Sequence, residues 1–213
     1  MTRKVYDWAV PSIKSLRHFN PDVKVHVLCE DDNYPLADET INVNTLDFFR
    51  KNGPNYNNRF TYINLYRPAF ASVFQLDRVL YLDVDTIICD SLNALWETDL
   101  TGKWYGMVPE YKGQFRPYGD LYYNAGVTIY NLKQMREDGA SERFIRELNC
   151  YRYIFPDQDI LNQHVDKAVT VELRFNENFA TGATDNPAIV HYAGYANWWT
   201  DKVPRHEYLD AWR

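Results

Sequence analysis

The sequence predicts an α/β fold with a mostly parallel central sheet flanked by helices. Two apolar runs and the segments between them carry that reading. Arg78-Val-Leu-Tyr-Leu-Asp-Val-Asp-Thr-Ile-Ile-Cys89 is the most apolar stretch of the chain and has no helical period, so it reads as a buried strand. Tyr122 to Leu132 is a second such run, and amphipathic segments alternate with these strands.

In chain order, Asp7 is placed to cap a helix running to about Phe19, with Pro11 in its first turn, where a missing N–H is tolerated. Val23 to Cys29 alternates and then turns apolar, as a strand does. Residues 30–58 are acidic and then rich in asparagine around Gly53 and Pro54, which predicts a long, mobile loop. Tyr62 to Phe74 reads as a helix bent or restarted at Pro68. After the apolar run, Ser91 caps a short helix through Trp96, and Trp104 to Val108 is a strand. Lys133 to Tyr153 is an amphipathic helix interrupted near Gly139, and Pro156 precedes another from Asp157 to His164. Ala168 to Phe175 and Ala188 to His191 read as strands, and Pro204 starts a terminal helix.

A length of 213 residues fits a single domain over 1–213 with a full core. The net charge of −6 argues against nucleic acid as a partner, because a phosphate backbone needs clustered Lys and Arg. A small phosphorylated ligand remains compatible if a metal neutralises it locally. The three cysteines, Cys29, Cys89 and Cys150, are odd in number and widely spaced, which predicts reduced thiols and a cytoplasmic compartment. No stretch is long and apolar enough to span a membrane, so an anchor, if needed, lies outside this chain.

Asp83 and Asp85 stand one residue apart at the end of the apolar run. On a strand, i and i+2 share a face, so both carboxylates project together from the end where open α/β sheets bind ligands. Two hard oxygen donors suit Mg²⁺ or Mn²⁺. The motif alone is weak, since the chain holds another at Asp157-Gln158-Asp159. Asn124 precedes Ala-Gly at a strand start, where small residues let a ligand approach the backbone. Asp157 and Gln158 open a helix; the dipole accounts for acids there but not for the glutamine. His191 ends an apolar strand as the aspartates do, and sheet topology could bring all three together as an acceptable Mn²⁺ set.

Taken together and in this order, these segments resemble family 8 of the retaining glycosyltransferases, of the glycogenin and bacterial lipopolysaccharide galactosyltransferase kind, from about Tyr6 to Trp199. The resemblance implies the GT-A nucleotide-sugar-binding fold. It implies Asp83 and Asp85, flanking Val84 on the donor side, as metal ligands with His191 as the third. Arg67 and Asn124 match donor-contacting residues, and Asp157-Gln158 matches a pair beside the anomeric carbon. It also implies an apolar first strand holding the nucleotide base, whereas this chain starts after that place, leaving Thr2, Arg3, Lys4 and Tyr6 to form the base pocket. Beyond Gly194, a family lysine that helps the diphosphate leave is replaced by Asn197, so either Mn²⁺ and another cation, Lys202 being nearby in sequence, compensate, or turnover is slow.

The resulting expectation is a metal-dependent enzyme using Mn²⁺ or Mg²⁺. It moves a sugar from a nucleoside-diphosphate donor, a UDP-sugar, to a glycan or other hydroxyl acceptor with retained configuration. The chain could be one part of a longer multidomain protein. Two alternatives stay open: a non-catalytic or degenerate carbohydrate-binding domain, and a haloacid-dehalogenase-like phosphotransferase with Asp83 as nucleophile.

Overall fold

The computed structural model describes residues 1–58, 60–111, 121–194 and 203–212. Helix α1 spans Ala9–Phe19 with Pro11 in its first turn. It starts after Trp8, with no side-chain cap, so Asp7 does not play the capping role its position suggested. The helix lies against the strand that follows the aspartates, tied by Ser12 Oγ to Thr86 Oγ1 at 3.1 Å and by Ile88 N–H to Ser15 Oγ at 3.0 Å.

Strand β1 (His26–Cys29) pairs in parallel with β2 (Glu39–Asn42), which lies inside the stretch expected to be a loop. The asparagines there saturate backbone groups. Asn55 Nδ2 donates to the carbonyls of Leu148 and Tyr151 at 2.7 Å each, and its Oδ1 accepts from Tyr153 N–H at 2.9 Å. Buried backbone polar groups must be paired, and these amides do it, so the stretch is pinned to the helix behind it. Pro68 splits the next segment into a 3₁₀ turn, Tyr62–Tyr66, and a short helix α2, Phe70–Val73.

The apolar run forms two strands, β3 (Arg78–Leu82) and β4 (Thr86–Ile88), broken at the two aspartates. Helix α3 (Asn93–Trp96) and β5 (Tyr105–Pro109) follow, and then β6 (Tyr123–Asn131), the longest strand at nine residues. Gly139, at φ 62°, separates α4 (Leu132–Glu137) from α5 (Ala140–Cys150), and α6 runs over Pro156–Asn162 with proline in its first turn. Strand β7 is shorter than expected, Ala168–Thr170, before a 3₁₀ turn at Leu173–Phe175. Strand β8 (Ile189–His191) and α7 (His206–Asp210) complete the described elements. No helix among the described residues is long and apolar enough to cross a membrane.

The main sheet has the order β3-β6-β5-β7, and β6 runs antiparallel to both neighbours; only β5 and β7 pair in parallel. A further antiparallel pair joins β4 to β8. The α/β class stands, but the sheet is mixed rather than mostly parallel. Eight of the nine β6 residues are buried, a pattern that periodicity reads as parallel because both faces are covered. One face packs on Phe70, Tyr105 and Phe144, the other on Ile88, Leu95 and Phe175. Among the described residues β1 pairs only with β2, and β3 only with β6. Both strands line one cavity of about 1140 Å³.

Candidate active site

Strand β3 ends at Leu82, so Asp83 and Asp85 do not share a strand face; they sit on the turn between β3 and β4. That turn is pinned on three sides. Asp83 N–H donates to Gly126 O at 2.8 Å, Thr86 Oγ1 donates to Asp83 O at 2.7 Å, and Tyr192 N–H donates to Asp85 O at 2.8 Å. The β4–β8 register sets His191 opposite Thr86. The imidazole Nε2 thereby lies 3.6 Å from Asp83 Oδ2 and 3.4 Å from Asp85 Oδ1. One ligand atom from each of the three lies within 4.8 Å of the others.

Strand β6 passes directly behind this cluster because it bulges. Met107 pairs with Thr128, yet the next residue, Val108, pairs with Asn124, leaving Ala125, Gly126 and Val127 without partners on β5. Bulges re-aim side chains and are common beside active sites. Here the freed N–H of Ala125 donates to Gln158 Oε1 at 2.9 Å, and that of Gly126 donates to Asn124 Oδ1 at 3.1 Å. Glycine is required: a Cβ at position 126 would stand 2.1 Å from His191 Cε1 and 2.8 Å from Asp83 Oδ2.

Arg67 lies at the end of the 3₁₀ turn with its guanidinium between two acids. It donates to Asp157 Oδ2 at 2.7 Å and to Asp83 Oδ1, and sits 4.6 Å from the centroid of the Tyr81 ring. Tyr81 also donates to Asp83 Oδ1. Burial disfavours the arginine charge, but Asp83, Tyr81 and Asp157 outweigh it, so the cation is held firmly. Burial raises the Asp83 carboxyl; Arg67 opposes that rise and Asp85 adds to it. Burial also works against the Asp85 carboxylate, yet the His191 imidazole lowers its pKa below the ordinary value. The same carboxylates raise the imidazole above its usual value, against the penalty of burial.

Beside the cluster, Asn124 Nδ2 and Gln158 Nε2 both donate to Glu110 Oε1, at 2.8 and 3.2 Å. Asp159 is engaged structurally, accepting from the N–H groups of Ile154 and Phe155 and from Tyr122 OH. Two nearby residues escaped the sequence reading. Glu110 follows an apolar strand as Asp83 does, which was the available signal. Asn176, whose Oδ1 lies 2.9 Å from His191 Nδ1, belongs to no motif.

The described cavity is lined by Thr2, Arg67, Asp83, Val84, Asp85, Asn124, Asp157, Gln158, His191 and Gly194. Tyr6 is not among its lining residues; its hydroxyl donates to Asp31 Oδ2 at 2.9 Å and its ring meets Tyr34 edge-on. Asn197 and Lys202 lie outside the described residues. Two carboxylates and an imidazole at these separations are a donor set suited to Mn²⁺ or Mg²⁺.

Comparison with known proteins agrees with this architecture. Residues 8–203 match the model of glycosyl transferase family 8. Glycosyltransferase GlyD of Streptococcus pneumoniae is 26% identical over 237 aligned residues, which take in 94% of this chain but 28% of GlyD. The chain therefore spans less than a third of that relative's length. The galactosyltransferase LgtC, solved with donor and acceptor sugar analogs, superposes with a TM-score of 0.66 at 22% identity, covering 95% of this chain and 88% of LgtC. The bifunctional glycosyltransferase WbbM superposes at 0.75 and 18% identity, covering 98% of this chain and 47% of WbbM. At these identities the likeness establishes the fold, the GT-A arrangement of those enzymes. The haloacid-dehalogenase alternative falls with the family match. The chain belongs to glycosyl transferase family 8.

Proposed function

We propose that this chain is the catalytic domain of a metal-dependent glycosyltransferase. It moves a sugar from a nucleoside-diphosphate donor, a UDP-sugar, to a hydroxyl of a glycan or other acceptor with retention of configuration. The observation that carries the reading is the convergence of Asp83, Asp85 and His191 at a cavity that Asn124, Asp157 and Gln158 also line. Mn²⁺, or Mg²⁺, held by those three residues would supply the charge that stabilises the departing diphosphate.

The chain's own groups divide the remaining work. Arg67 fixes the Asp83 and Asp157 carboxylates by pairing with both. Asn124, Gln158 and Glu110 offer amide and carboxylate groups to sugar hydroxyls, and the donor would displace the contacts they make with one another. As the anomeric carbon leaves the phosphate oxygen and bonds the acceptor oxygen, the departing phosphate takes the acceptor's proton. Thr2 and Gly194 line the same cavity and are assigned to the nucleotide, and Asn197 to the diphosphate end. Tyr6, tied to Asp31, would have to turn to reach a base.

We assign residues 1–213 to a single domain, acting alone or within a longer protein. The free thiols of Cys29, Cys89 and Cys150 favour a reducing, cytoplasmic setting.

The test is a panel of nucleotide sugars assayed with Mn²⁺ for transfer and donor hydrolysis, beside thermal shift with UDP. Turnover that disappears in Asp85→Ala, and UDP protection that disappears on chelation, are expected. No turnover with any donor would leave the non-catalytic binding domain as the correct reading.

A further inference from the structure

We propose that Asn176 is a positioning residue that dictates which nitrogen of His191 carries the proton, through a relay of buried amides. The inference deepens the metal reading above and rests on it for its functional consequence, but not for its geometry.

The relay is determined from two ends. At one end, the Gly126 N–H can only donate, so the Asn124 atom it meets at 3.1 Å must be the carbonyl oxygen. The Glu110 carboxylate, which only accepts, demands the same orientation by taking a hydrogen from Asn124 Nδ2 at 2.8 Å. With Asn124 fixed, the Asn176 atom 2.9 Å from its oxygen must be the Nδ2 donor. The other end is independent. The N–H groups of Ala180 and Thr181 donate to Asn178 Oδ1 at 2.9 and 3.1 Å, which turns Asn178 Nδ2 toward Asn176 Oδ1 at 3.1 Å.

Both ends assign the same orientation to Asn176, a side chain with no solvent exposure. Its oxygen therefore faces His191 Nδ1 at 2.9 Å, and that nitrogen must carry a hydrogen. When the ring is neutral, Nε2 holds the lone pair and aims it at the space shared with Asp83 and Asp85. A ring hydrogen-bonded at one nitrogen has its tautomer set there. An imidazole free in water prefers the opposite form, with the hydrogen on Nε2, which would occupy the metal's place. The relay thus keeps a ligand ready, and it links that ligand to Asn124 on the donor side of the cavity.

The experiment is nitrogen NMR of ¹⁵N-histidine-labelled, metal-free protein at a pH where His191 is neutral, with calorimetric titration of Mn²⁺ alongside. The wild type should show a pyrrole-type Nδ1 and a pyridine-type Nε2. Asn176→Ala should shift the ring toward the Nε2–H form and weaken Mn²⁺ binding by roughly 10–100-fold, the usual cost of losing such a partner. Asn176→Asp keeps the acceptor oxygen and should keep the Nδ1–H form, so it carries the test with the wild-type spectrum if the alanine variant does not fold. An Nε2–H ring in the wild type overturns the proposal. So does an alanine variant with an unchanged tautomer and Mn²⁺ affinity, or an aspartate variant that loses the Nδ1–H form. A wild type with the expected tautomer but no Mn²⁺ affinity would instead sink the metal reading and leave the relay standing.

Discussion

Gly126→Ala tests how closely the β6 bulge is fitted to the cluster. The added Cβ would sit 2.1 Å from His191 Cε1. Carbon atoms approach to about 3.5 Å, so the overlap is on the order of 1.4 Å. The ring cannot swing away freely, because it is buried, its Nδ1 is bonded to Asn176 and its backbone belongs to β8. Metal–ligand distances tolerate about 0.2 Å, so a shift near 1 Å would remove the imidazole from any shared ion. We expect Mn²⁺ affinity to fall at least as far as the roughly 10–100-fold typical of a lost supporting partner. Overpacking should cost about 1–3 kcal/mol, and at about 2–4 °C per kcal/mol for a chain of this size Tm should drop by roughly 2–12 °C. Calorimetry with Mn²⁺ and melting in EDTA measure the two effects. A variant that binds Mn²⁺ and melts like the wild type would show that β6 and His191 are not in this contact.

Further outcomes follow from the same geometry. Arg67→Met would leave buried Asp157 without its cation and Asp83 with only Tyr81 and His191, at a cost of about 3–5 kcal/mol in EDTA that Mn²⁺ should partly offset; urea midpoints decide, and a loss under about 1 kcal/mol would contradict it. Because the His191 pKa is raised, its contribution to metal-free stability is complete below the unfolded value and lost as pH rises through the folded one. Protons therefore compete with metal, and Mn²⁺ binding should weaken as pH falls through the raised His191 pKa; pH-independent binding would refute this. Burial pushes the Cys89 thiol up to about 12, so iodoacetamide should label exposed Cys150 well before it. Equal labelling rates by mass spectrometry would be the contrary result.

Several parts of the fold could be read in the sequence because they depend on local chemistry. Gly139 broke the long helix where its freedom at positive φ predicted, and Pro156 opened α6. Strand direction could not be read, because β6 is buried on both faces and periodicity does not distinguish its neighbours' polarity. The asparagines before Pro54 and at Asn55 signal a loop by propensity, yet tertiary contacts with the end of α5 decide their role. Asp83 and Asp85 were recognisable, but through a turn rather than the strand face inferred for them. Asn176 reaches the site only through pairings distant in sequence, which no spacing encodes, whereas Glu110 stood at the end of an apolar strand and could have been read.

One side of β1 and one side of β3 carry main-chain donors and acceptors that no described strand occupies. Such rims are templates: an extended polypeptide from any source can zip onto them, and identical molecules can zip onto one another. Amides along these rims should exchange with deuterium sooner than those of β6, which is laddered on both flanks. Concentrated samples should associate through this seam first, so crowding at the bench will be felt there before it is felt in the interior.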